Sequence, residues 1–389
     1  MIPRLLQTRI SQQLQDGGKV VVVYGARQVG KTTLVRRVLA DLSYRTLAIN
    51  ADELRYAEVL SSRDLRRLRE LVEGYELLFL DEAQRIPEIG VNLKLLVDHL
   101  PQLRIIVTGS SSLDLASKIQ EPLTGRAWIH MLYPIAMSEL ARQHNGFELN
   151  EMLEERLVLG SYPEIFAIPG SAARREYLQN LAASYLYKDV LEIGGVRHSN
   201  KLRNLVRLLA FQIGREVSLT ELGGQLQMSK DTVASYIDLL EQSFVVFRLG
   251  GFSRNLRKEV TRQDKIYFWD LGVRNVAIDN LRPLVERNDV GALWENFVIA
   301  ERRKWLHYRQ TLASLYFWRT YTGAEIDIIE DRGGELFAYE CKWNTSRGRM
   351  PESFLAAYPN TPYTVIARQQ YLEYLGASAA VTEVTDEQN

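Results

Sequence analysis

A single cysteine, Cys341, occurs in 389 residues. No disulfide can form within the chain, which fits a reducing compartment. No apolar run approaches the roughly 20 residues that a membrane-spanning helix needs, so no membrane role is expected. The opening residues Met1-Ile-Pro-Arg-Leu-Leu lack the basic-then-apolar layout of a secretion signal, and the expected location is the cytoplasm. There is no Pro-, Ser- or Gly-rich tract of the kind that marks a disordered linker, and no repeat at the period of a solenoid. An excess of one charge is missing too: 48 Lys plus Arg stand against 48 Asp plus Glu. Any contact with nucleic acid must therefore come from a local patch rather than an overall field. What remains is an ordinary globular composition, with length for roughly two to four domains.

Against these absences, Val20 to Leu34 stands out, reading Val-Val-Val-Val-Tyr-Gly-Ala-Arg-Gln-Val-Gly-Lys-Thr-Thr-Leu. A buried β-branched strand stops at Gly25, and four residues later comes Gly30-Lys31-Thr32, the spacing of a Walker A loop. Glycines let backbone N–H groups turn toward phosphate oxygens, and the following helix presents its positive end to them. The segment Gly25, Ala26, Arg27, Gln28, Val29, Gly30, Lys31, Thr32 and Thr33 is the expected ATP cradle. Lys31 reaches the β and γ phosphates, the Thr32 hydroxyl ligates Mg²⁺, and Thr33 is expected to pack.

Around this loop, Leu5 to Leu14 has helical spacing, and Tyr44 to Asn50 reads as a strand. Ser61 to Val72 is an arginine-rich amphipathic stretch with Leu65, Leu68 and Leu71 on one face. Its arginines read as a solvated face, with a DNA or partner contact as the alternative. Glu76-Leu-Leu-Phe-Leu-Asp81-Glu82 is a buried strand ending in two carboxylates, a Walker B pattern. Asp81 is expected in the Mg²⁺ shell, and Glu82 orients or deprotonates the attacking water. Arg104 to Val107 is a further strand, running into Thr108-Gly-Ser110. In P-loop ATPases with an additional central strand, that strand sets a polar residue between the two Walker strands, so Thr108 or Ser110 is the candidate γ-phosphate sensor. The competing reading is a Ser-rich turn capping a helix over 111–117. Arg126 is a candidate finger for a neighbouring copy's site, which would make the protein a homo-oligomer; the alternative is a surface salt bridge. Met137 to Phe166 reads as a small helical lid with a turn at Gly160-Ser-Tyr-Pro163.

Taken together, the Gly25 to Thr32 loop, Leu80-Asp81-Glu82-Ala83-Gln84, Thr108-Gly-Ser-Ser, Gly125-Arg126 and Gly160-Ser-Tyr-Pro-Glu164 resemble bacterial and archaeal AAA-type ATPases that carry a C-terminal domain of unknown function. The resemblance extends over nearly the whole chain. It implies an ATPase similar to the archaeal-ATPase branch of AAA+ proteins. Where that family often has an Arg-Asp pair after the lid, this chain has Lys188-Asp189, which cannot supply a bidentate guanidinium.

Farther on, Leu202 to Ile213, Leu219 to Leu226 (capped by Ser218) and Lys230 to Glu241 read as three helices. Val233, Ile237 and Leu240 form the inner face of the third. Strands at Val245 to Leu249 and Lys265 to Trp269 follow, which is winged-helix order. The outward positions Lys230, Asp231, Ser235 and Asp238 mix signs and offer little base reading. Arg254, Arg257, Lys258, Arg262 and Lys265 favour DNA backbone contact, with a protein-contact module as the alternative.

Beyond Gly291, a helix to Glu301 precedes strands at Leu315 to Trp318, Ala324 to Ile329 and Leu336 to Lys342. Strand alternation puts Glu325 and Asp327 on one face, and Glu340 and Lys342 on one face of the partner strand. Carboxylates for Mg²⁺ beside a lysine suit metal-assisted phosphodiester cleavage. The order Glu295, Asp327, Glu340-x-Lys342 resembles the PD-(D/E)XK nuclease superfamily, although Ile326 replaces the proline. The bland reading is a set of cross-strand ion pairs. Cys341, Trp318, Tyr339 and Trp343 are expected in the core.

The expected fold is thus α/β: a P-loop AAA+ type parallel sheet over 1–135, a helical lid over 136–198, a winged-helix domain over 199–285 and a restriction-endonuclease-like domain over 286–389. The expected activity is Mg²⁺-dependent ATP hydrolysis coupled to action on DNA. The alternative is an ATP-controlled switch or scaffold that binds a protein partner without cutting; a small-molecule kinase fits poorly, because Glu82 beside Asp81 suits water activation.

Overall fold

The computed structural model describes residues 2–110, 122–182, 199–253 and 263–378. The chain divides into two compact units, one of Pro3–Pro134 with Gln242–Phe244 and the other of Ile135–Glu241 and Val245–Asn389 together with the first two residues.

In the first unit, β1 (Val20–Tyr24), β2 (Thr46–Asn50), β3 (Leu77–Asp81), β4 (Arg104–Gly109) and β5 (Ala127–Met131) form a parallel sheet of order β2-β3-β4-β1-β5. Parallel sheets are covered on both faces, so their strands read as continuous apolar runs. All five residues of β1 are buried, as are Leu77 to Leu80. The β4 strand lies between β1 and β3, so the central-strand expectation holds. The Leu6–Asp16 helix buries Leu6, Ile10 and Leu14, one residue per turn.

Within the amphipathic stretch Ser61 to Val72, the helix occupies Leu65–Val72. Asp64 takes an extended backbone, and its carboxylate accepts from the Arg66 N–H at 2.9 Å, so the helix starts at Leu65. Residues Leu54–Leu60 form a separate helix. The later helix buries Leu68 and Val72, leaving Leu65 and Leu71 half-buried.

The second unit begins with helices Met137–Leu140, Gly146–Leu159, Pro163–Ala167 and Ser171–Leu181. Asn145 and Glu148 make a reciprocal capping box at the second of them. The Gly160 turn is shaped from far along the chain. Gly160 has φ +72°, and a Cβ there would lie 2.1 Å from Asp270 Oδ1, so only glycine fits. The Ser161 N–H donates to Asp270 Oδ2 at 2.6 Å, and the Val273 N–H donates to Oδ1 at 3.1 Å.

Helices Ser199–Phe211, Leu219–Leu226 and Lys230–Gln242 follow, then β6 (Val246–Leu249) and β7 (Lys265–Phe268) as an antiparallel pair. Ser218 caps the middle helix, and Val233, Ile237 and Leu240 are fully buried. Trp269, expected inside the last strand, comes just after it. The basic residues Arg254, Arg257, Lys258 and Arg262, the Lys188-Asp189 pair and the expected helix over 111–117 lie outside the described residues.

The Val290–Tyr308 helix leads into β8 (Ser314–Arg319), β9 (Glu325–Arg332), β10 (Glu335–Lys342) and β11 (Tyr363–Ala367), ordered β11-β10-β9-β8. The β8–β9 and β9–β10 pairs are antiparallel and β10–β11 is parallel. Trp318, Ile326, Ile329, Leu336, Ala338 and Phe354 form its core, together with Phe252 from the segment after β6.

Candidate active site and a second carboxylate cluster

The loop after β1 is built as its sequence requires. A Cβ on Gly25 would sit 2.0 Å from the Leu132 carbonyl oxygen, so this glycine serves the close approach of the chain leaving β5. Buried Arg4 fastens the same region, donating to the Val29 carbonyl at 2.7 Å and to the Tyr133 carbonyl at 2.6 Å. Gly30 adopts the left-handed region at φ +93°, and the Lys31–Ala40 helix starts directly after it. Ala26 and Val29 are buried, whereas Gln28 is exposed and Arg27 intermediate. Thr33 is exposed rather than packed, because the helix turns its Leu34 and Val35 face to the sheet.

Lys31 is buried, with its ammonium donating to the Gly25 and Ala26 carbonyls at 3.0 and 2.9 Å. The Thr32 hydroxyl lies 3.0 and 2.9 Å from the two oxygens of Asp81. Thr108, fully buried on β4, donates its hydroxyl to Asp81 Oδ1 and accepts the Glu82 N–H at 3.2 Å. Glu82 itself has φ +56°, a conformation that turns the chain sharply out of β3. Its carboxylate accepts from Gln84 Nε2, which also donates to Ser110 Oγ at 2.9 Å. Both sensor candidates therefore reach the Walker B pair, Thr108 directly and Ser110 through Gln84. Neither Gln84 nor Arg4 is assigned a role by the sequence alone. Gln84 belongs to the Leu80-Asp81-Glu82-Ala83-Gln84 run that carries the family resemblance, and its contact with Glu82 shows only in the fold.

Arg126 is elsewhere. It precedes β5 at the strand's N-terminal end, about five residues or ~17 Å along the sheet from its own phosphate loop. Its Nε donates to Asp98 Oδ1 at 2.6 Å on the surface of the same unit.

The C-terminal residues Glu295, Asp327, Glu340 and Lys342 do approach one another. Burial, then the neighbouring Glu295 and Glu340 carboxylates, push Asp327 well above the usual carboxylate range. Each carboxylate nevertheless has a protein donor. Glu295 Oε1 accepts from Lys265 Nζ at 3.1 Å and from the Tyr267 hydroxyl. Asp327 Oδ2 accepts the Cys341 N–H at 2.7 Å, and Glu340 Oε1 pairs with Lys342 Nζ at 2.7 Å. Among the described residues, no group of three or more His, Cys, Asp or Glu is arranged to hold a metal ion.

Lys265 corrects the sequence reading most. Counted there with a basic hairpin, it is 1% exposed and ion-paired to Glu295 and Glu325. Burial pulls its pKa down, and these carboxylates reverse the effect, holding the ammonium charged. The alternation of Lys265-Ile-Tyr267-Phe put Lys265 and Tyr267 on one face, a signal that was available. Cys341 is buried, and burial with the nearby Asp327 carboxylate pushes its thiol up. Trp318 packs edge-on to Phe354, and Tyr339 lies against Tyr374. Trp343 is half-buried against Trp294, so these aromatics serve packing.

Comparisons with known proteins match three stretches of the chain. Residues 17–141 match a family described as an AAA domain. Residues 150–283 and 290–384 match two domains of unknown function, DUF8612 and DUF4143. An uncharacterized protein of Mycobacterium tuberculosis is 29% identical over 329 residues, covering 83% of this chain and 70% of that protein. An uncharacterized protein of Methanocaldococcus jannaschii is 23% identical over 305 residues, covering 74% of this chain and 67% of that one. Among solved structures, a Walker-type ATPase of Pyrococcus abyssi superposes with a TM-score of 0.52 at 17% identity, over 71% of this chain and 96% of that one. The first unit thus has the fold of a P-loop ATPase of AAA type. No described helix is long and apolar enough to cross a membrane.

Proposed function

We propose that this protein binds ATP with Mg²⁺ and hydrolyses it at the site formed by Lys31, Thr32, Asp81 and Glu82. The observation that carries this reading is the Thr32 hydroxyl set against both oxygens of Asp81: the residue types that ligate Mg²⁺ in P-loop sites are already adjacent. When bound, the ion would neutralise charge on the β- and γ-phosphate oxygens. Lys31 exchanges its two loop carbonyls for phosphate oxygens. Glu82, held by Gln84, orients the attacking water and takes its proton. Ser110 is the better sensor of the γ-phosphate, since Thr108 is engaged with Asp81 and the Glu82 backbone. Replacement Glu82→Gln should retain ATP and lower turnover by about 10²-fold or more, measured as phosphate release beside nucleotide binding. Unchanged hydrolysis would remove Glu82 from this role.

The remainder of the chain reads best as a nucleotide-controlled switch or scaffold that engages a partner without cutting it. The observation favouring this reading is the protein donor on each carboxylate of the C-terminal cluster. A second reading, action on DNA through a winged helix and a nuclease-like domain, has in its favour the element order over 199–268 and the convergence of Glu295, Asp327 and Glu340. ATP turnover measured with and without single-stranded and duplex DNA distinguishes them: stimulation supports DNA as the partner. A trans role for Arg126 predicts that mixing Arg126→Ala with Lys31→Ala protein restores hydrolysis that neither has alone.

A further inference from the structure

The PD-(D/E)XK resemblance implies a divalent ion at Glu295, Asp327 and Glu340, and the donor set disagrees with it. Lys265 is 1% exposed, its Nζ lies 3.1 Å from Glu295 Oε1, and it is also paired to Glu325. The aliphatic stem does not lead this ammonium to water, and the Phe317 ring stands 5.3 Å away. Glu295 has a second donor in Tyr267, and its other oxygen faces Gly214, where a Cβ would lie 3.1 Å from Oε2. Arg319 adds a further cation, pairing with Glu216 at 3.0 Å and approaching Glu325 at 3.7 Å. A backbone bridge from Glu216 to Lys265 closes the same side. Half-buried carboxylates gain from a nearby counter-charge, and this chain supplies one covalently in the buried Lys265.

We propose that Lys265 is a tethered cation that, bridging Glu295 and Glu325, takes the place a divalent ion would hold at Glu295, so that the C-terminal cluster binds no divalent metal. The cluster then joins the β6–β7 ladder to the Val290–Tyr308 helix and the C-terminal sheet, as an internal ionic joint rather than a cleavage site. The proposal is independent of the ATP reading, because it concerns residues that the nucleotide chemistry does not use.

The test is Mn²⁺ binding to the full chain without nucleotide, read from the signal of free Mn²⁺ by electron paramagnetic resonance. Any Mn²⁺ held at Asp81 and Thr32 is common to all variants and cancels in the comparison. Wild type and Asp327→Asn are expected to bind the same number of ions; loss of one site in Asp327→Asn overturns the proposal. In the same buffer, folded Lys265→Met is expected to gain a thermal shift from Mn²⁺ that wild type and Lys265→Arg do not show. A folded Lys265→Met protein with no such shift also counts against a cation-shaped vacancy. Should Lys265→Met fail to fold, the wild-type and Asp327→Asn pair decides the question alone.

Discussion

Two carboxylate clusters stand at strand ends or on strand faces in this chain, and they are supplied with partners of different kinds. At Asp81 and Glu82 the partners are hydroxyls and an amide: Thr32, Thr108 and Gln84. None carries charge, so an incoming cation still finds uncompensated carboxylate. At Glu295, Glu325 and Glu340 the partners include the ammonium groups of Lys265 and Lys342, so the chain brings cations of its own to this cluster. Both clusters have hydrogen-bond donors, but only at the second do lysine side chains pair with the carboxylates. Counting acidic residues does not separate the two cases; the sign of the donors does.

The largest way to break the comparison is to remove the built-in cation. Lys265→Met should cost about 3 kcal/mol of stability by leaving the half-buried Glu295 and Glu325 carboxylates without their ammonium, seen as a lowered urea midpoint, whereas Lys265→Arg should recover much of it. A smaller effect tests the neutral side. Gln84→Ala removes hydrogen bonds of about 1 kcal/mol and should slow ATP turnover roughly fivefold with little change in nucleotide affinity.

A third contrast is one of pH. Asp289 is closed by charge as Glu295 is. Burial raises its pKa, and bonds from Arg287 and Arg274 outweigh that and hold it down to about 2. A depressed folded pKa stabilises above the unfolded value and loses that contribution as pH falls. Asp289→Asn should therefore be less stable than wild type at neutral pH, with the gap closing between about pH 4 and pH 2. A gap that stays constant over that range would show that the arginines do not act through the Asp289 charge.

The parts of this molecule that were legible in sequence are those where local chemistry dictates residue type at fixed spacing. Gly25, Gly30, Lys31 and Thr32 are confined by phosphate-loop geometry, and the strands around them show as apolar runs because a parallel sheet is covered on both faces. Asp81 and Glu82 followed from the strand end. The residues that were missed act over long separations. Arg4 reaches Tyr133, Lys265 reaches Glu295 and Asp270 reaches Ser161. The identity of such a distant partner is not written in the local sequence, even where, as at Lys265, strand alternation shows which face the side chain takes. The short β11, Tyr-Thr-Val-Ile-Ala over Tyr363–Ala367, gave too brief a run to be distinguished from a loop. Within the amphipathic Ser61 to Val72 stretch, the cap at Asp64 sets where the helix begins.

The grip of Asp270 on the Gly160 turn also has a bearing on the order in which the protein can be assembled. The Asp270 contact spans 109 residues, and Asn275 donates at 2.9 Å to the Leu157 and Val158 carbonyls at the end of the Gly146–Leu159 helix, across 118 and 117 residues. During synthesis, that helix end and the turn after it emerge long before their partners do. Their polar groups must stay with water until residue 275 has left the ribosome. The parallel sheet of residues 20–131 has all its strands by then and can close first. Loop closure over such distances slows folding more than it lowers stability, and the Gly160 turn cannot take its final shape before residues 270 and 275 are available.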